Sequence, residues 1–467
     1  MTAPTSVYEA DFDPSQIHER TYASRGRRYL LDVTALVNLL IITLFLIPAE
    51  FVIPRLTAVG RPALVIGLVL AGLWVMSRLH PELVMRGPQP LRWALGMWLV
   101  ALLASYAAGQ FRGLTVLEAN GADRALIYAI IFIGAALACA DGCPNRRRLD
   151  DVLRVLVWSA AAVAVIGILQ SILEFEVVDY ITIPGLELHT ESATLEDRRG
   201  FSRIASTTAH YIEFSALMAL VLPFAIHLAW FGRTPLVRQL AVVSGVIIAA
   251  AIPLSVSRTG LLGLLVVAVV MLPAWTWRVR LNLVVAMLGL IAVAMLARPR
   301  LLGTLRGLFM NWDRDESIQG RTERYPIVFA YFTERPWLGR GTGTLIPELY
   351  LILDNQWLAE LVQTGIIGVT AMVALQGTAI WLAMRVRRHT TDPADRHLAQ
   401  CLIAVQVLAV VCAGTFDMFA FTTFTTAFAI ATGLSGALWR LSHPARQIRT
   451  DRARRRPESM VIQLRSG

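Results

Sequence analysis

The sequence predicts an all-α polytopic membrane protein with about 12 transmembrane helices, and two observations support this fold class. First, 56% of the 467 residues are hydrophobic and only 16% are charged, and the mean hydropathy is +0.57. A soluble protein of ordinary domains is far less apolar than this. Second, apolar runs of roughly 16 to 22 residues recur along the chain, and a helix of about that length crosses the hydrocarbon core of a bilayer.

The apolar runs define the predicted spans in order. These spans begin near Tyr29, Pro62, Leu91, Arg124, Val152, His210, Gln239, Thr259, Leu281, Gly365, Leu398 and Met418. The last pair is the weakest, because the segment 415–417 separates the two runs only slightly and threonines dilute the final run. Eleven spans therefore remain an open alternative.

The same runs predict the domain organisation. The predicted segments are a cytoplasmic N-terminal tail at 1–28, spans one to nine at 29–297 with an outer loop near 173–209, a large extracytoplasmic loop with short helices at 298–364, spans ten to twelve at 365–438, and a cytoplasmic arginine-rich tail at 439–467. Loops this long within a compact protein are more often functional than idle. The second loop opens with RPRLLGTLRGLFMNW, which favours either a helix lying flat on the membrane or a helix packed on the bundle.

Arginines predict the orientation of the spans, since all 43 basic residues are arginine. The arginine-bearing short links alternate along the chain, at 25–28, 146–148, 233–238, 278–280 and 385–388, and the C-terminal tail continues the pattern. Cytoplasmic links are enriched in basic residues, so both termini are expected in the cytoplasm and Arg258 on the opposite side. The formal charge of +10 is expected to face anionic membrane lipids, and nucleic acid is not expected as a partner.

The cysteines do not predict a disulfide or a metal site. Cys139, Cys143, Cys401 and Cys412 lie in or beside apolar runs, where cysteine is usually a small buried hydrophobic residue. The polar N-terminal stretch is too long for the start of a signal peptide, so the first apolar run is expected to remain as a membrane anchor.

Ionisable residues are scarce at predicted mid-bilayer positions, where an ion-coupled transporter would carry an acidic relay. Those within or beside the apolar runs lie near predicted span ends: Asp32, Arg92, Arg154, Glu213, His227 and Asp417. The predicted extracytoplasmic side instead gathers many polar groups: Arg203, His210, Glu213, Arg258, Arg321, Arg324, Glu334, Arg335, Arg340 and Asp354. This distribution favours chemistry at the extracytoplasmic face over transport.

Four segments between Arg203 and about Val369 carry a family resemblance. They are RIASTTAHYIEFSALMALVLP, SRTG between two adjacent spans, GRTERYPIVFAYFTERPWLGRGTGT, and DNQWLAELVQTGIIGV. Their order and spacing resemble the O-antigen ligase and polymerase family of bacterial membrane glycosyltransferases, from Arg203 to about Val369. The first half is similar only in topology.

The resemblance implies a GT-C-like fold and an inverting transfer that needs neither metal nor cofactor. The implied donor is a glycan on a polyprenyl diphosphate such as undecaprenyl diphosphate, and the acceptor is a glycan or glycolipid hydroxyl at the extracytoplasmic face of the cytoplasmic membrane. The leaving diphosphate gains negative charge, which arginine can stabilise through paired hydrogen bonds to phosphate oxygens.

By this resemblance Arg258 and Arg203 are predicted to bind the diphosphate, with Arg321 and Arg324 as further substrate contacts. For Arg258 this role is favoured over a contact with lipid headgroups or a helix end. The two alternatives are equally supported for Arg203. For Arg321 a salt bridge with Glu323 or Asp315 is slightly favoured.

Asp354 is the predicted general base, since it stands where ligases of the family commonly carry a histidine before the asparagine, here Asn355. This difference favours a polymerase over a ligase. The alternative role of Asp354 is a plain helix N-cap. His210, Asn355 and Glu213 are predicted substrate contacts; an interfacial role for His210 and pairing of Glu213 with His210 or Arg203 remain open.

The glycine-rich stretch at 339–343 is interpreted as a turn, because the strand and lysine of a phosphate-binding loop are missing around it. A lipid-linked glycan flippase or a small-solute transporter is the alternative function, and a non-catalytic glycan-binding scaffold is a third. The charge distribution and the matched motifs favour the enzyme.

Overall fold

The computed structural model of the protein describes residues 32–56, 59–79, 88–175, 180–188, 204–282, 284–285, 289, 324–347, 349–350 and 352–443. The helices of these residues are α1 Val33–Leu46, α2 Pro62–Leu79, α3 Pro90–Arg112, α4 Val116–Gly142, α5 Arg146–Leu173, α6 Tyr211–Phe231, α7 Pro235–Leu254, α8 Arg258–Met271, α9 Tyr325–Glu334, α10 Gln356–His389, α11 Pro393–Cys412 and α12 Thr422–Leu441. Two short strands, β1 Phe51–Val52 and β2 Glu187–Leu188, pair antiparallel.

Within the described residues, eight helices are long and apolar enough to cross a membrane, namely α2 to α7, α10 and α11. The apolar helix α1 and the stretch Arg258–Ala274 are shorter. These helices confirm the predicted all-α polytopic membrane fold. One large core of buried side chains runs through the bundle, from Val37 on α1 to Leu438 on α12.

Side-chain caps and prolines define several helix starts. Asn145, Thr234 and Asp392 each accept a hydrogen bond from a backbone N–H in the first turn of the following helix. Pro235 and Pro393 then occupy the first helical position, where no backbone N–H is needed. The sequence therefore sets the starts of α5, α7 and α11 locally.

One end of the bundle, which we call the arginine end, is held by ion pairs. The Asp141 carboxylate on α4 bonds Arg78 on α2 at 2.5 Å and Arg92 on α3 at 2.9 Å. Arg148 on α5 bonds Asp32, which caps α1, at 2.6 Å. These pairs tie the termini of five helices together, because each joins residues distant in sequence.

The opposite end, which we call the loop end, comprises the segments 47–56, 59–61, 113–115, 204–210, 255–257, 324–347, 349–350, 352–355 and 413–421. Long-range hydrogen bonds hold these segments together, such as Ala49 N to Thr207 O at 3.0 Å. α8 runs toward the arginine end, where the Trp275 indole N–H contacts His397. The chain is described again at the loop end from Arg324, and most of the predicted ninth span lies outside the described residues.

A kink at Gly365 divides α10 into an initial segment and a long second segment. Gly365 has a φ of +63°, and a Cβ atom there would lie 2.5 Å from the Trp337 carbonyl carbon. Only glycine fits this backbone and this close approach. The tenth span predicted from the sequence begins at the same glycine, and the residues before it pack against the loop end, where Arg340 N donates to the Val362 carbonyl.

Candidate functional site

The connection between α11 and α12, residues 413–421, forms the centre of the loop end. Its Ala413 carbonyl accepts a hydrogen bond from Gln356 N at 2.7 Å. Its Gly414 carbonyl accepts one from Asn355 Nδ2 at 3.2 Å. The start of α10, which carries the DNQWL motif, is therefore fixed against this connection.

The start of α8 reaches the same connection from another side. Thr259 Oγ1 lies 3.1 Å from Thr415 Oγ1. The neighbouring Arg258 is the first residue of α8, is partly buried, and follows the N-cap Ser257. A helix N-terminus and a guanidinium group together favour an anion at this position.

Asn355 is the residue that caps α10. Its side-chain oxygen accepts a hydrogen bond from Leu358 N at 3.2 Å. Asp354, one residue earlier, has a φ of +41° and a side chain that is 47% exposed. The alternative that Asp354 serves as the N-cap is therefore wrong, and its carboxylate faces outward from a left-handed backbone position.

Arg324 lies beside Asp354. Its Nη1 atom is 3.7 Å from Asp354 Oδ2, and the same nitrogen donates a hydrogen bond to the Ile352 carbonyl. Arg324 directly precedes α9. A predicted substrate contact and the predicted base are thus neighbours, although the 3.7 Å separation exceeds an ordinary hydrogen bond.

Asp417 is a second carboxylate near Asp354, and it was not predicted as a site residue. Burial raises the pKa of the Asp417 carboxyl to about 6, and the negative charge of Asp354 contributes in the same direction. Its sequence signal is the polar interruption at 415–417 between the last two apolar runs. The two aspartates differ in environment, since Asp354 is the more exposed of the two.

His210 also reaches the connection. Its ring lies 5.6 Å from the Phe421 ring, centroid to centroid, at a tilt of 41°. Its Nδ1 atom accepts a hydrogen bond from Ile212 N at 3.2 Å, so the side chain caps α6. His210 therefore combines a capping role with a position beside the candidate site.

Glu213 has a structural role. Its fully buried carboxylate accepts hydrogen bonds from Ala209 N at 3.0 Å, Thr423 N at 2.8 Å and Phe424 N at 3.0 Å. It thereby holds the N-termini of α6 and α12 together. This corrects the prediction of a substrate contact, because the carboxylate is enclosed and its oxygens are already bonded to the backbone.

A partly open cavity of about 370 Å³ lies next to the connection. Its walls come from α3, α4, the segment 342–347, the start of α10 and the residues 417–420. Asp417 and Glu360 contribute carboxylates to this wall, and Arg124 contributes a cation. Glu360 is 4% exposed, and sequence reasoning missed it because a single glutamate in a helical run carries no motif.

Three predicted site segments therefore converge on residues 413–421. Residues 243–373 match the family model described as O-antigen ligase. No curated protein matches the chain. The resemblance to the O-antigen ligase and polymerase family is confirmed by this match.

The matched segment carries Arg258, Arg324, Asp354 and Asn355, whereas His210 and Asp417 lie outside it. The match supports an O-antigen ligase-type or polymerase-like glycosyltransferase in general terms. For this family it implies lipid-linked glycan substrates and a membrane setting. Arg203 and Arg321 lie outside the described residues, so their predicted roles remain predictions.

The glycine-rich stretch at 339–343, within the segment that matches the O-antigen ligase model, is a packed turn. Arg340 N and Gly341 N donate to the carbonyls of Val362 and Gln363, at 2.9 and 3.0 Å. Gly343 N donates to Gln363 Oε1 at 2.7 Å. The backbone amides are thus bonded to the protein, as expected of a turn and not of a phosphate-binding loop.

Among the described residues, His227, His397 and Cys401 form a buried group spaced to hold a metal ion. The two histidine Nδ1 atoms are 3.2 Å apart. A metal on both Nδ1 atoms would put a proton on both Nε2 atoms, which face N–H groups of Arg146 and Trp275 at 3.4 Å. If the two histidines instead share a hydrogen bond between their Nδ1 atoms, only one Nε2 atom carries a proton. Only one N–H group then faces another N–H group, so this cluster fits a hydrogen-bonded pair better than a metal site.

Proposed function

We propose that the protein is a membrane glycosyltransferase that transfers or polymerises an undecaprenyl-diphosphate-linked oligosaccharide onto an acceptor hydroxyl. The observation that carries this proposal is the convergence on one connection, 413–421, of the starts of α8, α10 and α6. Two of these starts belong to the segment that matches O-antigen ligase. The transfer is inverting and uses the protein's own side chains without a metal.

Arg258 binds the diphosphate of the donor in this proposal. The leaving group takes the electron pair of the C1–O bond and gains negative charge, so a fixed cation lowers the barrier. The N-terminus of α8 adds a favourable dipole. Arg203 supplies the second guanidinium, and Arg321 and Arg324 supply further contacts.

The acceptor hydroxyl must lose its proton as its oxygen forms the new bond to the anomeric carbon. Asp417 takes that proton, because a carboxylate with a pKa of about 6 is a better base near neutral pH than an ordinary aspartate. Burial is the main cause of that raised pKa, and the negative charge of Asp354 adds to it. Asp354, with Asn355, orients the acceptor. The C1–O bond to the diphosphate breaks as the new bond forms, and the lipid diphosphate leaves.

Asp354 also supports a polymerase over a ligase, because ligases of the family commonly carry a histidine there. The arginine end faces the cytoplasm in this proposal, in line with the enrichment of basic residues on that side. The loop end and the site then face outward from the bacterial cytoplasmic membrane. Both described chain ends, at Asp32 and His443, would lie on the cytoplasmic side.

Turnover of a lipid-linked donor by the purified protein in lipid nanodiscs tests the proposal. The wild type should release polyprenyl diphosphate and lengthen the acceptor, and a chelator should leave the rate unchanged. Arg258→Ala and Asp417→Asn should lose turnover by roughly 100-fold or more. The matched controls Arg335→Ala and Glu334→Gln change exposed charges at the loop end and should retain it.

A folded Arg258→Ala or Asp417→Asn variant with wild-type turnover would remove that residue from its role. The alternative flippase or transporter would move the lipid-linked glycan or solute across the membrane without consuming donor. A wild-type protein that moves labelled donor between leaflets and forms no new glycosidic bond would contradict the enzyme and support that alternative.

A further inference from the structure

Two buried polar atoms on the cavity wall have no hydrogen-bond partner among the described residues. They are Glu360 Oε1, an acceptor, and Trp98 Nε1, a donor. Trp98 is 3% exposed and, like Glu360, lines the cavity. A buried donor or acceptor that stays unpaired costs about 1–3 kcal/mol, so a ligand that pairs both is favoured.

The neighbours of Glu360 fix its carboxylate without satisfying it. Gln356 Nε2 donates to Glu360 Oε2 at 3.2 Å, and Gln356 Oε1 accepts from Phe419 N at 3.0 Å. The hydroxyl of Thr364 donates to the Glu360 backbone carbonyl at 2.8 Å. Glu360 Oε1 therefore has no hydrogen-bond partner among the described residues, on a side chain held in place by an amide that is itself fixed.

Aromatic rings form another part of the same wall. The Trp98 ring lies 5.3 Å from the Phe132 ring and 5.7 Å from the Phe419 ring, centroid to centroid. All three residues line the cavity. Aromatic faces and edges pack against apolar C–H surfaces, and the two unpaired atoms suit hydroxyl groups, which both donate and accept.

The chemistry of the wall identifies one class of ligand. A hydrocarbon chain would leave Glu360 Oε1 and the Trp98 indole N–H unpaired. The wall carries two carboxylates, Glu360 and Asp417, against one cation, Arg124, so an anionic sugar would add negative charge to a wall that already has more acidic than basic groups. A neutral, hydroxyl-rich sugar avoids both costs, and about 370 Å³ lies at the small end of ligand pockets, roughly 300–1,000 Å³.

We propose that this cavity is a subsite for a neutral sugar unit of the acceptor glycan, with Glu360 accepting and Trp98 donating hydrogen bonds to its hydroxyls. The identification of that sugar as the acceptor rests on the proposed glycosyl transfer. Asp417 lines the same cavity, so a sugar bound there lies beside the proposed base. Glu360 acts in binding and positioning, and Asp417 in the proton transfer.

Saturation-transfer NMR on the full chain tests the subsite directly. The protein is held in nanodiscs free of glycoside detergents, and the probes are the methyl glycosides of glucose, galactose, mannose, rhamnose and N-acetylglucosamine. At least one probe should bind the wild type. Glu360→Gln removes the charged acceptor and should weaken that binding roughly 10-fold or more.

Two further variants keep the test decisive if Glu360→Gln fails to fold. Ala420 is an exposed residue on the cavity wall, and Ala420→Trp should fill the cavity from its rim and abolish binding. Glu334→Gln removes an exposed carboxylate outside the cavity wall and should bind like the wild type. Failure of every probe to bind the wild type, or equal binding by Ala420→Trp, would overturn the subsite.

The same samples separate this inference from the proposed function. Sugar binding that Glu360→Gln weakens, in a protein that consumes no lipid-linked donor, would keep the subsite and contradict the transferase. Donor turnover with an unchanged apparent KM for acceptor in Glu360→Gln would contradict the subsite and keep the transferase. In an active protein, the subsite predicts a raised acceptor KM with a nearly unchanged donor KM.

Discussion

The two aspartates at the loop end lead to a sharp prediction for the pH dependence of turnover. Asp417 must be ionised to accept a proton, and its pKa is about 6. A group with that pKa is about 9% ionised at pH 5 and about 91% ionised at pH 7. Donor turnover, measured as kcat/KM, should therefore rise about 10-fold between these two pH values.

Two variants, Asp417→Asn and Asp354→Asn, should change the pH dependence of turnover in different ways. Asp417→Asn should lower kcat/KM. It should also remove the fall in kcat/KM toward low pH, which we call the acidic limb, because the titrating group is gone. Asp354→Asn removes the negative charge that helps to raise the pKa of Asp417, so the acidic limb should move to lower pH. The two substitutions thus differ in kind, one abolishing the limb and the other shifting it.

The assay is initial-rate donor consumption in nanodiscs from pH 4.5 to 8, in buffers of constant ionic strength. Glu334→Gln is the control, since it removes an exposed carboxylate at the loop end away from both aspartates. An acidic limb that persists unchanged in Asp417→Asn would refute Asp417 as the base. A limb that stays at the wild-type pH in Asp354→Asn would refute the coupling of the two carboxylates.

The remaining predictions concern stability and the leaving group. Glu213→Ala leaves three backbone N–H groups without their acceptor, at a cost of about 1–3 kcal/mol each. The free energy of unfolding, measured in denaturant, should therefore fall by at least about 3 kcal/mol. Gly339→Ala should destabilise the fold more than Gly113→Ala; both glycines have a positive φ, but only at Gly339 would a Cβ atom meet protein, 2.3 Å from a backbone oxygen. Arg258→Lys should retain part of the turnover that Arg258→Ala loses, because lysine keeps the charge without the paired donors of guanidinium. Because burial raises the pKa of Asp417 in the folded state, its stabilising contribution is present below about pH 4 and lost as the pH rises through about 6, and thermal unfolding across this window should show the loss in the wild type but not in Asp417→Asn.

Each of these has a contrary outcome. An equal loss of thermal stability between about pH 4 and pH 6 in wild type and Asp417→Asn would contradict the raised pKa of Asp417. Equal unfolding free energies for wild type and Glu213→Ala would contradict the bridging carboxylate. Equal effects of the two glycine substitutions would mean that the close approach at Gly339 is relieved at little cost. Full activity of Arg258→Lys would reduce the role of Arg258 to a single positive charge.

The helical bundle was predictable because the signal for a membrane span is local. A run of apolar residues of sufficient length specifies a helix wherever its partners lie. The predicted start of α4 was wrong, since the helix begins at Val116 and not near Arg124. Thr115 and Glu118 form a capping box there, and the polar residues of that first helical region concealed it in the hydropathy pattern.

The site was predictable only where short motifs lie in the sequence. The motifs that carry Arg258, Asp354 and His210 lie at the starts of three helices that contact one connection, through Thr259, Asn355 and His210, and the roles of these residues stay predictions. Asp417 and Glu360 were missed, because their importance depends on burial and on neighbours from other helices. Neither burial nor contacts between helices can be read from a single amino-acid sequence.

Glu213 shows the opposite error. A glutamate three residues after a helix cap suits both a ligand contact and a local backbone bond, as its bond to Ala209 N illustrates. Its other partners, Thr423 N and Phe424 N, lie more than 200 residues away in sequence. No local pattern reports a contact at that separation.

Photo-crosslinking with an undecaprenyl diphosphate that carries a photoreactive group beside the diphosphate tests the central claim most directly. The labelled peptides should come from the starts of α6, α8 and α10 and from residues 413–421, and Arg258→Ala should reduce the labelling. Labelling at the arginine end, or labelling at the loop end that is unchanged in Arg258→Ala, would contradict a diphosphate site at this connection.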